Sequence, residues 1–436
     1  MNPLLRVTLA LVLIGTFALP CSAEVQDWIN RKRHKILFLG DSNTFAGLYI
    51  SYLEGYLRTR FSDEPWELIN LGLPSETLSG LSEPDHPYPR PNIHERADRA
   101  LAKVKPSIVF ICYGMNDGIY YPFSEERLKK YKEGTEKLVD KIENAGATVI
   151  LITPSPFDGV PMARNLLPKD SLKFSWMKPY ENYDAEVLRK YSDYLLEWRK
   201  KDYLVVDAHA AVHRFLKAMR AKNPNYTVSG DGIHPNPTGH AIIAFEILRE
   251  LKVPREADRV EINFAAGKAV KGNGGAYEVM RDSLKVRFTG RWPMPTDPRW
   301  HMQLDDAERF QERFRKFTLV ISGMPPGKYE INGEKPSQVI GSATAAEFAK
   351  GIDIARFKNL AIFAGNDKLG ATIQERQRKS GLAWLTEIGH KRPDTPKGAR
   401  FDEAMAADEK DRSELLDLLR QRNRGQLQGL HIRRID

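Results

Sequence analysis

Cysteine is nearly missing from this chain: of 436 residues, only Cys21 and Cys112 carry a thiol. With Cys21 inside a removable leader, no intramolecular disulfide can form. Cys112 lies in the apolar run Ile108-Val-Phe-Ile-Cys-Tyr113 and reads as a packed thiol, not a reactive one. A long hydrophobic run is missing too, since Val7 to Leu19 is too short for a membrane span. Charge of one sign is never gathered into a block. Basic residues outnumber acidic ones 66 to 57, a formal charge of +9, but the excess is spread along the chain. It implies a weak bias towards acidic or polyanionic surfaces, and no zinc-finger, RNP-type or basic-stripe pattern makes nucleic acid an expected partner. No internal repeat is present. The dinucleotide fingerprint fails because Gly40-Asp-Ser-Asn lacks its second glycine. Gly-x-Ser-x-Gly fails because Thr44 stands in its final position. His209 and His213 are four residues apart with Asp207 near, yet no full ligand set of recognised spacing accompanies them, so no metal and no other cofactor is expected.

What is present starts with a leader. Arg6, the apolar run to Leu19 and Pro20-Cys-Ser-Ala23 before Glu24 fit a secretory signal peptide over residues 1–23, cleaved after Ala23. The expected location is therefore secreted or periplasmic, with no stable membrane insertion after cleavage. A lipoprotein anchored through Cys21 is the minority alternative, disfavoured by Pro20 where a small residue is expected.

From there apolar runs alternate with helical patterns. Lys35-Ile-Leu-Phe-Leu-Gly40 is a strand that ends in Asp41-Ser42-Asn43-Thr44, and a helical pattern follows. Trp66 to Gly72, Ser107 to Tyr113, Ala147 to Thr153 and Tyr203 to Asp207 supply four more strands. Helices are expected over 92–104, 124–144, 184–201, 210–221 and 240–251. Five strands alternating with helices predict a three-layer parallel α/β sheet over residues 24–257. A proline-rich excursion (Pro74 to Pro91) and an aromatic insertion (Phe157 to Tyr180) interrupt the pattern; the insertion reads equally as a substrate wall or as a pinned surface loop. Beyond Pro254 the texture changes. Residues 258–343 read as a small antiparallel β unit with a hairpin at Asn332-Gly333. Residues 344–436 read as a mixed helical and loop extension, with a capping box at Thr344/Glu347 and a helix over 408–421.

The turns after the strands hold the chemistry, because ligands of open α/β sheets sit at the carboxyl ends of strands. Ser42 alone reads as a helix cap as readily as a nucleophile. Asp231 and His234, three apart on a loop shaped by glycine and proline, can bring a carboxylate to imidazole Nδ1 and leave Nε2 free for a serine. The backbone N–H groups of Ser42 and Gly72 and the side-chain amide of Asn116 offer three donors for an oxyanion, Gly72 because it has no Cβ to keep a substrate oxygen away. Asn43, Tyr113 and Trp176 are candidate substrate contacts, with core packing the competing explanation for the aromatics.

Four blocks in order, Gly40-Asp-Ser42, Asn70-Leu-Gly72, Gly114-Met-Asn116-Asp117 and Asp231-Gly-Ile-His234-Pro235, resemble the signature blocks of the SGNH (GDSL-type) hydrolases over residues 34–252. The resemblance implies a flavodoxin-like sheet, Ser42 as nucleophile, His234 as general acid/base, Asp231 as its orienting partner, and Ser42, Gly72 and Asn116 as oxyanion donors. Ser75 and Glu76 depart from the pattern, standing where Gly and Asp are frequent, and Asn43 stands where an aliphatic residue is common. The nearest resemblance is to secreted bacterial members with a C-terminal extension, several of them similar to carbohydrate esterases. The expected activity is hydrolysis of an acyl ester, acetyl among the candidates, on a glycan or small-molecule substrate through an acyl-Ser42 intermediate. A lipase or O-acyltransferase with the same triad is the alternative, and a glycan-binding protein on a hydrolase scaffold is the reading outside catalysis. Oligomeric state is not readable.

Overall fold

The computed structural model describes residues 35–62, 64–254, 258–271, 277–280, 283–287, 292–333, 337–357, 361–423 and 429–436. The expected leader and Cys21 lie outside the described residues. The first half runs β1 (Lys35–Gly40), α1 (Ser42–Ala46), α2 (Leu48–Arg60), β2 (Glu67–Asn70), α3 (Ala97–Val104), β3 (Ile108–Cys112), α4 (Glu125–Asn144), β4 (Thr148–Ile152), α5 (Arg189–Glu197), β5 (Leu204–Val206), α6 (Ala208–Arg220) and α7 (Pro237–Glu250). Every strand pairs in parallel, in the order β2-β1-β3-β4-β5. This is the flavodoxin-like sheet expected from the sequence, and its order reverses between β1 and β3, where a doubly wound sheet opens a crevice.

The strands are apolar throughout because both faces are covered. Leu37 and Leu39 of β1 join one core with residues of α3, α4 and α5. Ile36 and Phe38 join the other with residues of α2, α6 and α7. Helix starts follow local chemistry: Ser124 caps α4 by accepting from Arg127 N–H, and Asn236 caps α7, with Pro237 in its first turn. Cys112 is buried, as its place in a strand demands.

The second half departs from the antiparallel unit expected over 258–343. Two sheets form. In one, β6 (Asp258–Asn263), β7 (Lys268–Lys271), β10 (Phe317–Ser322) and β13 (Ile352–Asp353) take the order β13-β10-β6-β7, and β6 and β10 run parallel. The reason is the path between them. After the other sheet's β8 (Tyr277–Met280) and β9 (Ser283–Arg287), the chain crosses onto the first half, where Trp292 N–H donates to Thr59 O at 2.9 Å and Met294, Phe310 and Phe314 enter the α2/α7 core. It therefore returns to β6 in the same direction. The other sheet, β12-β11-β14-β9-β8, adds β11 (Lys328–Asn332), β12 (Val339–Thr344) and β14 (Gly429–Arg434), so it draws its central strand from far beyond residue 343. The two sheets face each other over a core that includes Ile262, Leu319, Ile321, Val286, Ile331 and Ile432.

Thr344 and Glu347 do form a capping box, opening a helix over Ala345–Lys350 that Gly351 ends. Two longer helices follow, Ala361–Ile388 and Phe401–Asn423; the first was not expected. Gln377 on it donates to Leu68 O (3.0 Å) and to Glu54 (2.7 Å), so this helix covers β2, the edge of the parallel sheet. Trp384, Leu385 and Ile388 join the core that holds Leu37 and Leu39.

Candidate active site

Ser42 is the first residue of α1, with Asp41 between it and the end of β1, at the carboxyl end of that strand. Asp41 caps the helix, its Oδ1 accepting from Asn43 N–H at 2.9 Å, so the cap belongs to Asp41 and Ser42 is left free to project. His234 Nε2 lies 2.9 Å from Ser42 Oγ, and His234 Nδ1 lies 2.6 Å from Asp231 Oδ2. A carboxylate only accepts, so Nδ1 carries the proton and Nε2 offers a lone pair to the serine hydroxyl. The tight 231–234 turn is closed by Asp231 itself, whose Oδ1 accepts from the N–H groups of Ile233 (3.0 Å) and His234 (2.8 Å) and from Ser229 Oγ (3.1 Å). Gly232 sits at φ 77° in this turn, and a Cβ there would meet Asp158 O at 2.5 Å.

Electrostatics follow from the wiring. Burial alone would depress the His234 imidazole, but the hydrogen bond and charge of Asp231 outweigh it and raise His234 above its ordinary value. Burial would raise Asp231, and the hydrogen bonds from His234 and Ile233 hold it well below the usual carboxylate range instead. Among the described residues Asp41 has no cationic partner at contact distance, and burial pushes its carboxyl up to about 7 against the Asn43 N–H.

Of the three residues expected as donors, Ser42 and Asn116 keep a hydrogen to offer. Ser42 N–H stands in the first turn of a helix, where the helix itself supplies no acceptor. Asn116 Oδ1 accepts from Tyr120 OH at 3.0 Å, which fixes the amide orientation. Its Nδ2 gives one hydrogen to Glu76 O at 3.2 Å and keeps another. Gly72 differs from expectation. Its N–H donates to Asn70 Oδ1 at 2.9 Å, while Asn70 Nδ2 donates to Thr44 O at 2.8 Å. A Cβ on Gly72 would lie 2.2 Å from Phe45 N. The glycine lets the second loop press against the helix that begins with Ser42; the missing side chain makes room for protein backbone, not for a substrate oxygen.

Asn43 and Tyr113, expected among the substrate contacts, belong to the scaffold. Asn43 is buried and its Nδ2 donates to Ser155 Oγ at 3.0 Å. Tyr113 is buried and donates to Glu76 Oε2 at 2.5 Å. Trp176 keeps 36 % exposure on the aromatic insertion, which is pinned by Phe174 against Tyr121 and Tyr180. Glu76 is the residue that sequence reasoning undervalued. Fully buried, it takes two hydrogen bonds from Arg96 (2.7 and 2.6 Å) and one from Tyr113, and its carbonyl anchors Asn116. Nothing in its spacing announced this; a charged residue inside a glycine- and proline-rich loop was the available signal. Ser75 beside it adopts φ 68°, the left-handed conformation that glycine takes without cost.

A parallel sheet in 2-1-3-4-5 order, with a serine after its first strand held by a histidine from the last loop, is the arrangement of the SGNH hydrolases. Residues 38–242 match the family model of the GDSL-like lipase/acylhydrolases, and this match, with the relative below, supports a carboxylic ester hydrolase. The chain is 24% identical over 241 residues to an acetylxylan esterase of Geobacillus stearothermophilus, a match that spans 50% of this chain and 93% of that one. The crystal structure of an acetylxylan esterase from that organism superposes with a TM-score of 0.36 at 22% identity, over 51% of this chain and 95% of that one. A gut microbial diltiazem-metabolizing enzyme has a similar fold over nearly the whole length: TM-score 0.68, 19% identity, 92% of this chain and 97% of that chain.

Proposed function

We propose that the protein is a serine esterase that removes a short acyl group, acetyl foremost, from a hydroxyl of a carbohydrate. The observation that carries this is the hydrogen-bonded line from Asp231 through His234 to Ser42. Ser42 Oγ attacks the ester carbonyl carbon while its proton passes to His234 Nε2. The negative oxygen of the tetrahedral intermediate takes hydrogen bonds from Ser42 N–H and the remaining hydrogen of Asn116 Nδ2. On collapse the C–O bond to the sugar breaks, and the departing oxygen takes the proton from His234. Water, deprotonated by the same imidazole, then releases the acid from Ser42.

One feature supports hydrolysis over transfer: His234 and Asp231 keep 44% and 49% of their side-chain surface exposed, so water reaches the base directly. The acetylxylan esterase relative supports a carbohydrate as the alcohol. The test is turnover of p-nitrophenyl acetate, butyrate and octanoate, and acetate release from acetylated xylo-oligosaccharides, by wild type and by Ser42→Ala. The reading expects acetate esters to be preferred and the variant to be inactive. Equal turnover by the two proteins would remove Ser42 from the reaction, and preference for octanoate would favour a lipase.

A further inference from the structure

One cluster of ligating side chains has no part in acyl transfer. His209 and His213 are four residues apart on α6, so their rings leave the same face of the helix, with centroids 4.6 Å apart. Asp184 faces them from a π-helical turn, Tyr183–Leu188, and such turns recur at functional sites. Its Oδ1 lies 3.2 Å from His209 Nε2 and its Oδ2 2.7 Å from His213 Nε2. Asp207, the acid nearest the two histidines in sequence, is occupied elsewhere: it caps α6, accepting from Ala210 N–H at 3.0 Å.

We propose that Asp184, His209 and His213 bind a divalent transition-metal ion of the zinc class, through one carboxylate oxygen and two imidazole Nε2 atoms, with solvent at the open position. Two histidines and one carboxylate are a donor set that such ions favour. The ligand atoms all lie within 4.8 Å of one another. Tetrahedral zinc sets its ligand atoms about 3.3 Å apart, so closure asks for side-chain rotation of about 1 to 2 Å, chiefly of His213. That ring has the freedom, being 44% exposed, and its outward side leaves room for water. The other two ligands are held. His209 is 2% exposed and its backbone N–H donates to Thr153 Oγ1 at 2.9 Å; Asp184 Oδ1 accepts from Phe157 N–H at 2.8 Å. Among the described residues His209 Nδ1 is buried without a hydrogen-bond partner, so none of them fixes the tautomer from that side. On binding, each Nε2 proton moves to Nδ1 and the freed lone pair goes to the metal, with no net change in protons.

The ion would join the 183–188 turn to α6. Through Phe157 and its neighbour Asp158, whose N–H donates to Gly232 O at 2.8 Å, it would steady the turn that carries His234. The test takes the full chain after chelator treatment and dialysis. Zinc chloride is titrated by calorimetry, cobalt(II) by its visible absorption, and melting is followed with and without zinc. A single equivalent is expected, with tetrahedral cobalt bands and a Tm raised by several degrees. His213→Gln and Asp184→Asn, each checked for native circular dichroism, should weaken binding at least tenfold. No stoichiometric binding by wild type, or undiminished binding by both variants, would overturn the site.

Discussion

In the proposed mechanism Ser42 loses its proton to a neutral His234, so ester hydrolysis should rise with pH through the His234 pKa. Because Asp231 raises that pKa, the acid limb of kcat/KM should lie above the ordinary imidazole value of 6.5. Asp231→Asn should move the limb to lower pH and cut kcat by about 10⁴-fold, since the imidazole loses both its charge partner and its enforced tautomer; pH–rate profiles of the two proteins check this. The donors make separate predictions. Asn116→Ala should lower kcat by about 10²- to 10³-fold with little change in melting temperature. Gly72→Ala should lower stability as well as rate, because its methyl meets the Phe45 backbone; a melt of the two variants side by side separates the roles. At this scale the hydrogen-bonded line of Asp231, His234 and Ser42 was legible because Asp231 and His234 are near neighbours in sequence and Ser42 follows a strand. The task of Gly72 was not, because closeness to Phe45 is decided by how two loops pack.

Among the elements, the loop that carries Glu76 gives the clearest stability prediction. Arg96 and Glu76 are both buried, with side chains 2% and 0% exposed. Removing one partner leaves the other charged and dry, so Arg96→Met should cost about 3 to 5 kcal/mol in urea unfolding. It should also lower kcat, since Glu76 O orients Asn116. The five parallel strands were readable because strands covered on both faces are apolar from end to end. The Ala361–Ile388 helix was not. Gly365, Gly370 and Gly381 punctuate it, and its course is set by contact with α2 and β2, as where Gln377 meets Leu68 O. The parallel pairing of β6 with β10 was equally hidden, since it depends on a crossing that local patterns do not record.

Across the whole molecule, catalytic and C-terminal halves share buried charge. Glu54 on α2 binds Arg58 at 2.5 Å and is also paired with Arg376, which in turn holds Asp408 at 2.5 Å. The C-terminal region therefore folds as part of the enzyme. Deleting residues 429–436 should abolish cooperative melting of the C-terminal sheets and drive the protein into aggregates, seen by calorimetry and size exclusion. That deletion removes β14, which pairs with β9 on one side and β11 on the other. The placing of this strand bears on birth as well as stability. While the chain is being synthesised, β9 and β11 emerge long before β14 does, each with one edge unpaired. For that interval the nascent protein carries two open strand edges, the kind that recruit a neighbouring chain. Slow elongation over 344–428 would lengthen the exposure, and chaperones that shield sheet edges should raise the yield of active enzyme.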